Sequence, residues 1–326
     1  MPAILSRFSR RRQAADPAGQ GAAEIELIAS GVRVVIVPEL GGRITALELG
    51  GRQWLTVGDD TGFEAGSQAA DLARGAATGF QECFPTVGPC RLVSRNTGLA
   101  IDVPALGEVR GLRPAVRVAT LDGAVEAECT WTGQRFPYRF TRNVRVSPGV
   151  VAMRYAVRNT GSAPLPFIWA ANVSIPFDEG TRLSLPENAR ARVLVQQGVD
   201  FLGVGAEHKW PRFRTAKKIV EMTTPDAVGP RYATHLAFDM PAGVAAVVHG
   251  ARRLEVRFDA SQVPNLGLAI RKRMGGPESR SLTLQPAIGV PDVLAHAAGI
   301  SNGAAWLEPG AAREWELVWR APEDVE

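Results

Sequence analysis

Residues 124–159 read AVEAECTWTGQRFPYRFTRNVRVSPGVVAMRYAVRN, and this stretch decides the fold. Apolar and polar side chains alternate along it with a period of two, which is typical of strands that bury one face. Gly133 and the tripeptide Ser147-Pro-Gly149 interrupt the alternation with residues that favour turns. We therefore predict strands over Ala124–Thr132, Phe136–Val146 and Val150–Asn159, joined as an antiparallel meander.

Similar apolar runs separated by turn residues occur on both sides of this stretch. They predict further strands over Glu24–Ile28, Val32–Pro38, Gly41–Gly50, Val116–Leu121, Thr181–Leu185, Leu236–Met240, Val244–His249, Leu254–Phe258 and Leu266–Arg271. The only convincing helix is short and spans Pro291–Gly299, with Asp292 as its cap. The pattern indicates an all-β protein that is built from antiparallel sheets and has few short helices.

Composition and charge argue against several classes of function. The chain has 326 residues, of which 45% are hydrophobic and 21% charged, as in ordinary globular domains. The formal net charge is +4, but much of it comes from an N-terminal segment with Arg7, Arg10, Arg11 and Arg12 against Asp16. The rest of the chain is close to neutral. A nucleic-acid-binding domain needs a basic stripe on its folded surface, so we expect no nucleic-acid partner.

The sequence shows no export signal with an apolar core and no transmembrane stretch, so we expect a cytoplasmic protein without a membrane partner. Cys83, Cys90 and Cys129 are odd in number and form no CxxC pair, which argues against disulfides and against a zinc site. We predict a disordered basic tail over residues 1–21 and a single domain over residues 22–322. No metal or cofactor is expected.

A polar residue in an apolar strand indicates the site. Residues 164–177 read PLPFIWAANVSIPF, and this apolar run contains Asn172, which needs a partner if it is buried. Two other short motifs close apolar runs in the same way, residues 104–110 and residues 281–289, which contain Gln285. We expect the three segments to converge on one site, with Trp169 beside Asn172.

Three more residues have two interpretations each. Glu82 lies among apolar residues, and it is either a buried carboxylate held by backbone amides or an arginine, or a ligand-binding group. His208 and Trp210 lie in an irregular region, residues 196–231. Trp210 could stack on a sugar face beside His208, or it could simply pin a surface loop.

Six short motifs carry a resemblance to a known family. They are residues 39–47 (ELGGRITAL), 79–85 (GFQECFP), 104–110 (PALGEVR), 166–172 (PFIWAAN), 284–292 (LQPAIGVPD) and 307–310 (LEPG). In this order they resemble the galactose mutarotase-like (aldose 1-epimerase) superfamily. The resemblance implies a β-supersandwich of large antiparallel sheets and the interconversion of sugar anomers. In that reaction a glutamate removes the proton of the C1 hydroxyl and a histidine protonates the ring oxygen, without a cofactor.

This sequence departs from the family at all three of its usual acid–base positions. Asn172 stands where the family has its acid histidine, Gln285 where it has its base glutamate, and Leu106 where it has a further histidine. Asn and Gln can hydrogen-bond hydroxyl groups but cannot carry a proton near neutral pH. The resemblance therefore implies a carbohydrate-binding protein with lost or altered mutarotase activity. Its ligand would be a monosaccharide or a sugar phosphate, held near Asn172 and Gln285 together with Glu82, Glu108 and Trp169.

Two alternatives remain open from the sequence. The protein could be an active aldose 1-epimerase or sugar isomerase whose acid and base are relocated to Glu82, Glu108 or His208. It could instead be a non-catalytic structural or regulatory partner protein, in which the arginine-rich tail docks on an acidic surface.

Overall fold

Two antiparallel sheets pack face to face and enclose the hydrophobic core. The computed structural model of the chain describes residues 4–10, 23–56, 78–93, 100–272, 280–290, 292–300 and 303–322. The larger sheet has 14 strands: β1 Ile4–Arg10, β2 Ala23–Ala29, β3 Val32–Val37, β4 Arg43–Leu49, β5 Arg52–Gln53, β6 Phe80–Cys83, β14 Trp169–Ile175, β16 Arg190–Gln197, β17 Glu207–Lys209, β18 Arg212–Arg214, β19 Ile219–Glu221, β20 Tyr232–Asp239, β23 Asn265–Lys272 and β24 Arg280–Ile288.

The smaller sheet has eight strands: β9 Ala115–Leu121, β10 Ala124–Thr132, β11 Tyr138–Ser147, β12 Val150–Asn159, β15 Thr181–Ser184, β21 Val244–His249, β22 Arg252–Phe258 and β26 Ala312–Arg320. Two separate two-stranded sheets complete the strands: β7 Cys90–Val93 with β8 Ala100–Val103, and β13 Leu165–Phe167 with β25 Ala305–Leu307. Helical structure in the described residues is limited to α1 Leu294–Gly299 and three 3₁₀ turns at Pro38–Leu40, Val109–Gly111 and Pro225–Val228.

The strand order brings together segments that are distant in the chain. In the large sheet the neighbours run β1-β2-β3-β4-β6-β14-β24-β23-β20-β16-β17-β18-β19, with β5 paired to β4. The centre of this sheet is therefore formed by β6, β14, β24 and β23. Three of the six motifs noted in the sequence lie on these strands or continue from them.

Large aromatic side chains fill the space between the sheets. Trp169 of the large sheet packs at 4.8 Å from both Tyr155 and Trp315 of the smaller sheet, measured between ring centroids. Tyr155 and Trp315 stack on each other at 5.5 Å with an interplanar angle of 7°. Such pairs contribute about 0.5–1.5 kcal/mol each beyond the burial of their apolar area. The three rings thus join the centres of the two sheets.

The predicted all-β class with few short helices is confirmed. The meander predicted from residues 116–159 forms β9 to β12, with β10 and β12 at the predicted bounds. Strand alternation was clear there because this sheet exposes its outer face, as the burial pattern of β11 illustrates. None of the helices in the described ranges is long and apolar enough to span a membrane.

The structure differs from the sequence-based prediction in the N-terminal segment and at the start of the helix. Within the segment predicted to be disordered, Ile4–Arg10 forms β1, whose backbone pairs with β2 because an unpaired strand edge offers free N–H and C=O groups. Residues 1–3 and 11–21 of that segment lie outside the described residues. The predicted helix begins later, at Leu294. The backbone N–H of Leu294 donates a hydrogen bond of 3.1 Å to Oγ1 of Thr86, so Thr86 takes the place of the predicted cap Asp292.

Candidate functional site

Strand β14 presents different residues to the two faces of the large sheet. Its seven residues are all buried, and successive side chains point to opposite faces. Trp169, Val173 and Ile175 belong to the core between the sheets. Asn172 and Ser174 therefore point to the other face, which we call the cleft face.

Gln285 and Asn172 are brought together on the cleft face. Nε2 of Gln285 donates a hydrogen bond of 2.7 Å to Oδ1 of Asn172, and both side chains are buried. The cross-strand register continues on either side of this pair. Across β6, β14, β24, β23, β20 and β16 the opposed positions are Gln81, Asn172, Gln285, Gly267, Ala237 and Arg192, which we call the cleft row.

The amide pair leaves hydrogen-bonding groups for a ligand. Once Gln285 donates to Asn172, Nδ2 of Asn172 remains as a donor and Oε1 of Gln285 as an acceptor. Gln81, next in the row, donates through Nε2 to the carbonyl of Thr78, and its Oε1 is buried without a hydrogen-bond partner. A ligand with several hydroxyl groups can both donate to and accept from this set.

Small residues beside the amide pair create space above the sheet. An open depression lies over Gly267 and Gln285, and its floor includes Ala170, Ala237 and Ala287. It adjoins a second open depression that shares Ala237 and is bordered by the charged side chains of Arg190, Arg192, Glu207 and Asp239.

His235 on β20 lies on the same face of the sheet, close to Gly267. Its Nδ1 lies 3.1 Å from Oδ2 of Asp292, which follows β24 in the chain. A methyl group placed on Gly267 would lie 2.5 Å from Oε1 of Gln285 and 3.3 Å from Nε2 of His235. The imidazole and the amide therefore face the same small volume. Nε2 of His235 is buried and has no hydrogen-bond partner.

Glu82 and Trp169 lie on the opposite face from Asn172, which corrects their grouping with the cleft residues. Trp169 donates a hydrogen bond of 2.9 Å from Nε1 to Oε2 of Glu82, inside the sandwich. Oε1 of Glu82 pairs with Nη1 of Arg142 at 3.0 Å and accepts from Tyr155 at 3.3 Å. Of the two interpretations of Glu82, the structure shows the buried carboxylate paired with an arginine. The reason is the period of two on β6, where Gln81 takes the cleft face.

Glu108 lies against the turn between β10 and β11 of the smaller sheet and not on the cleft face, which corrects its grouping with the cleft residues. Oε2 of Glu108 accepts from the backbone N–H groups of Arg135 at 2.9 Å and Gln134 at 3.3 Å and so holds this turn, while its Oε1 is buried without a hydrogen-bond partner. Leu106 packs against an apolar cluster that includes Cys83, and its φ is 63°. The histidine position of the resemblance is thus occupied by a side chain without hydrogen-bonding groups.

His208 and Trp210 are packed into the core near the far edge of the large sheet. The His208 ring stacks on Phe213 with 4.8 Å between centroids, and both of its nitrogens have partners. Nδ1 accepts the N–H of Arg214 at 3.2 Å, and Nε2 lies 2.9 Å from the carbonyl of Phe201. Trp210 is buried against Phe238 at 5.9 Å. Neither ring reaches the Asn172–Gln285 pair, because both point to the interior.

Burial also sets the protonation state of the Cys83 thiol, which lies near the cleft face. Cys83 on β6 belongs to the apolar cluster with Ala170 and Ala287. Burial raises the pKa of the Cys83 thiol, and the nearby Glu82 carboxylate raises it further. Cys83 is therefore a neutral thiol near pH 7 and not an activated nucleophile.

Sequence reasoning missed His235 and the role of Asp292. The predicted strand began at Leu236, one residue after His235, because Thr234 and His235 are both polar. The useful signal was the alternation on β20, in which Leu236 and Phe238 are buried in the core and His235, directly before Leu236, takes the cleft side with Ala237.

Likeness to known proteins is found in structure and not in sequence. No family model and no curated protein sequence matches the chain. A galactose mutarotase-like protein from Clostridium acetobutylicum superposes with a TM-score of 0.66 at 12% identity, covering 98% of this chain and 98% of its own. Galactose 1-epimerase from Lactobacillus acidophilus superposes with a TM-score of 0.64 at 11% identity, covering 99% of this chain and 100% of its own.

A galactose mutarotase-like protein from Lactobacillus casei gives a TM-score of 0.59 at 16% identity, covering 92% of this chain and 100% of its own. These likenesses extend over nearly the whole of both chains, so they concern the complete architecture and not a shared piece of it. The chain has the fold of the galactose mutarotase-like proteins, a sandwich of large antiparallel β-sheets.

Proposed function

We propose that this protein binds a carbohydrate, a monosaccharide or a sugar phosphate, on the cleft face, with lost or altered aldose 1-epimerase activity. The observation that carries the proposal is the 2.7 Å hydrogen bond between Gln285 and Asn172. It fixes one amide N–H donor and one amide oxygen acceptor side by side on neighbouring strands, next to a depression. Sugar hydroxyl groups act as donor and acceptor together, so they complement such a pair.

The loss or alteration of activity follows from the chemistry of the same two side chains. A general acid and a general base must each exchange a proton near neutral pH, and amides do not. Glu82, Glu108 and His208, the relocated groups considered from the sequence, are engaged in other contacts. This favours a binding role for the amide pair over a conventional two-residue epimerase.

Thermal unfolding with added sugars tests the proposal. The probes are D-glucose, D-galactose and D-glucose 6-phosphate at millimolar concentration, with wild-type protein, Asn172→Ala and the matched variant Asn143→Ala. Asn143 lies on β11 of the other sheet, away from the cleft face. A ligand at 100 times its Kd stabilises the folded state by about 2.7 kcal/mol.

We expect at least one probe to raise the melting temperature of the wild type and of Asn143→Ala, and to leave Asn172→Ala unchanged. The proposal fails if none of the probes stabilises the wild type, or if Asn172→Ala responds to them as the wild type does.

A further inference from the structure

We infer that His235, oriented by Asp292, is the proton-transferring side chain of the cleft. The inference rests on the proposed function, because it assumes that a sugar occupies the depression over Gly267. It adds a reactive group to a site whose amide pair cannot titrate. The sugar class is then an aldose with a free anomeric hydroxyl, presented to Nε2 of His235 beside Oε1 of Gln285.

The geometry has the parts that such a role needs. The carboxylate of Asp292 lies 3.1 Å from Nδ1 and so fixes the orientation of the ring. Nε2 then points to the volume above Gly267, where the absence of a side chain leaves room between Nε2 and Gln285. The His235 side chain is 16% exposed while Nε2 itself is buried, so a sugar would have to sit against the sheet beside Gly267 to contact this nitrogen. A buried ring nitrogen without a partner is unusual and calls for an explanation.

The other three histidines of the chain differ from His235 in this respect. His249 also pairs with a carboxylate, Asp178, at 3.0 Å, but its second nitrogen faces the hydroxyl of Thr181 at 3.3 Å. Both nitrogens of His208 are engaged in the core. His296 lies exposed on α1. Of the four histidines, His235 is the one that combines a carboxylate partner with an unengaged nitrogen beside the cleft row.

The proton transfer can be written with every bond accounted for. Neutral Nε2 of His235 accepts the proton of the anomeric hydroxyl, and the electron pair of that O–H bond forms the C1=O double bond. The bond between C1 and the ring oxygen breaks, and the ring oxygen takes a proton from a water molecule. The resulting imidazolium and hydroxide neutralise each other. Reclosure on the other face of C1 by the reverse steps gives the other anomer.

Several charged groups lie near His235 on the cleft side. Asp292 contacts it from the segment after β24. On the strands packed against β20, Arg190, Arg192 and Arg271 lie on the cleft side, and Asp239 lies four residues further along β20 itself. Of these charged groups, Asp292 is the one in direct contact with His235.

Polarimetry across pH 5–9 tests the inference, using whichever of D-glucose, D-galactose and D-glucose 6-phosphate stabilises the protein. His235→Gln keeps a hydrogen-bonding side chain but cannot carry the proton. His249→Gln is the matched control, since it also removes a histidine paired with an aspartate. We expect the rate of anomer interconversion with the wild type to exceed that of the buffer blank. This rate should rise with pH to a plateau. His235→Gln should lower the excess rate by ~10²-fold with the Kd for sugar unchanged, while His249→Gln behaves as the wild type.

The variant Asp292→Asn tests whether Asp292 orients the His235 ring or only stabilises the fold. It also provides the test if His235→Gln does not fold. It should lower kcat, leave KM within about twofold of the wild type and keep the pH dependence that His235→Gln loses. If sugars bind but the wild-type rate equals the blank, or if His235→Gln keeps the wild-type rate and pH profile, the inference is overturned and the binding function stands. If no probe binds, both are overturned.

Discussion

Arg142 of the smaller sheet and Glu82 of the large sheet form a salt bridge of 3.0 Å across the middle of the sandwich. Both side chains are fully buried. Arg142 also donates from Nη2 to the carbonyl of Gly42, and Glu82 accepts from Trp169 and Tyr155. Burial raises the pKa of the Glu82 carboxyl, and the adjacent Arg142 guanidinium opposes that rise. The two sheets are thus joined by an ion pair as well as by aromatic packing.

Replacing Arg142 by methionine should destabilise the fold by about 3–5 kcal/mol, because it leaves a buried carboxylate without its counter-charge. Urea unfolding monitored by far-UV circular dichroism measures the loss. The double variant Arg142→Met/Glu82→Gln should recover part of it, since both charges are then removed. Arg158→Met, at an exposed position of β12, is the control. A loss of less than about 1 kcal/mol for Arg142→Met would contradict the prediction.

The three tyrosines of the chain should ionise only when the protein unfolds. Tyr138, Tyr155 and Tyr232 are all buried, and burial raises the pKa of each hydroxyl. In the unfolded chain the tyrosine pKa is about 10. The folded state therefore holds its tyrosine protons more tightly, and stability is lost as the pH rises above 10.

Absorbance at 295 nm measures tyrosinate directly. We expect a flat signal through pH 10, followed by a single rise that coincides with the loss of circular dichroism. The urea-unfolded protein, as the control, should titrate near pH 10. A tyrosinate signal at pH 10 with unchanged circular dichroism would count against this account of the core.

Glu255 should stabilise the protein at neutral pH and not in acid. Burial alone would raise the pKa of its carboxyl, but hydrogen bonds from Arg257 and Arg253 outweigh burial and lower it. A folded-state pKa below the unfolded value gives stability that is present above about pH 4.5 and is lost as the pH falls through the folded pKa. Glu255→Gln should therefore melt below the wild type at pH 7, with a smaller difference at pH 3. An equal difference at both pH values would show that the variant acts through packing instead.

The strands of the smaller sheet could be predicted from the sequence because one of their faces is solvated. In β11, buried residues alternate with partly or fully exposed ones, and the alternation is visible in the residue types. The central strands of the large sheet have no such pattern. All residues of β6 and β14 are buried, so residue type does not show which face a side chain takes. Glu82 was accordingly grouped with Asn172, although its neighbour Gln81 takes the cleft face.

The candidate site was predictable only where a single residue stood out from an apolar run. Asn172 and Gln285 did so, and they meet at 2.7 Å. The pairing of His235 with Asp292 depends on the strand order of the large sheet and on the path of the chain after β24. Neither is encoded in local spacing, because the two residues belong to segments joined only through tertiary contacts. Gly267 is informative for the same reason: its missing side chain matters only once Gln285 and His235 are known to lie on either side.

Gln285→Glu should increase anomer interconversion if the amide is what limits the chemistry of the cleft. Glutamate has nearly the same shape as glutamine, and Asn172 can turn its amide so that Nδ2 donates to the new carboxylate. The variant then carries a general base beside the depression. A positioned base contributes roughly 10²–10⁴-fold, so we expect at least a ~10²-fold rise in the rate over the blank with D-galactose. Gln262→Glu, at an exposed position, adds the same charge away from the cleft face. If Gln285→Glu is no faster than Gln262→Glu, the side chain at position 285 does not face the anomeric centre of a bound sugar.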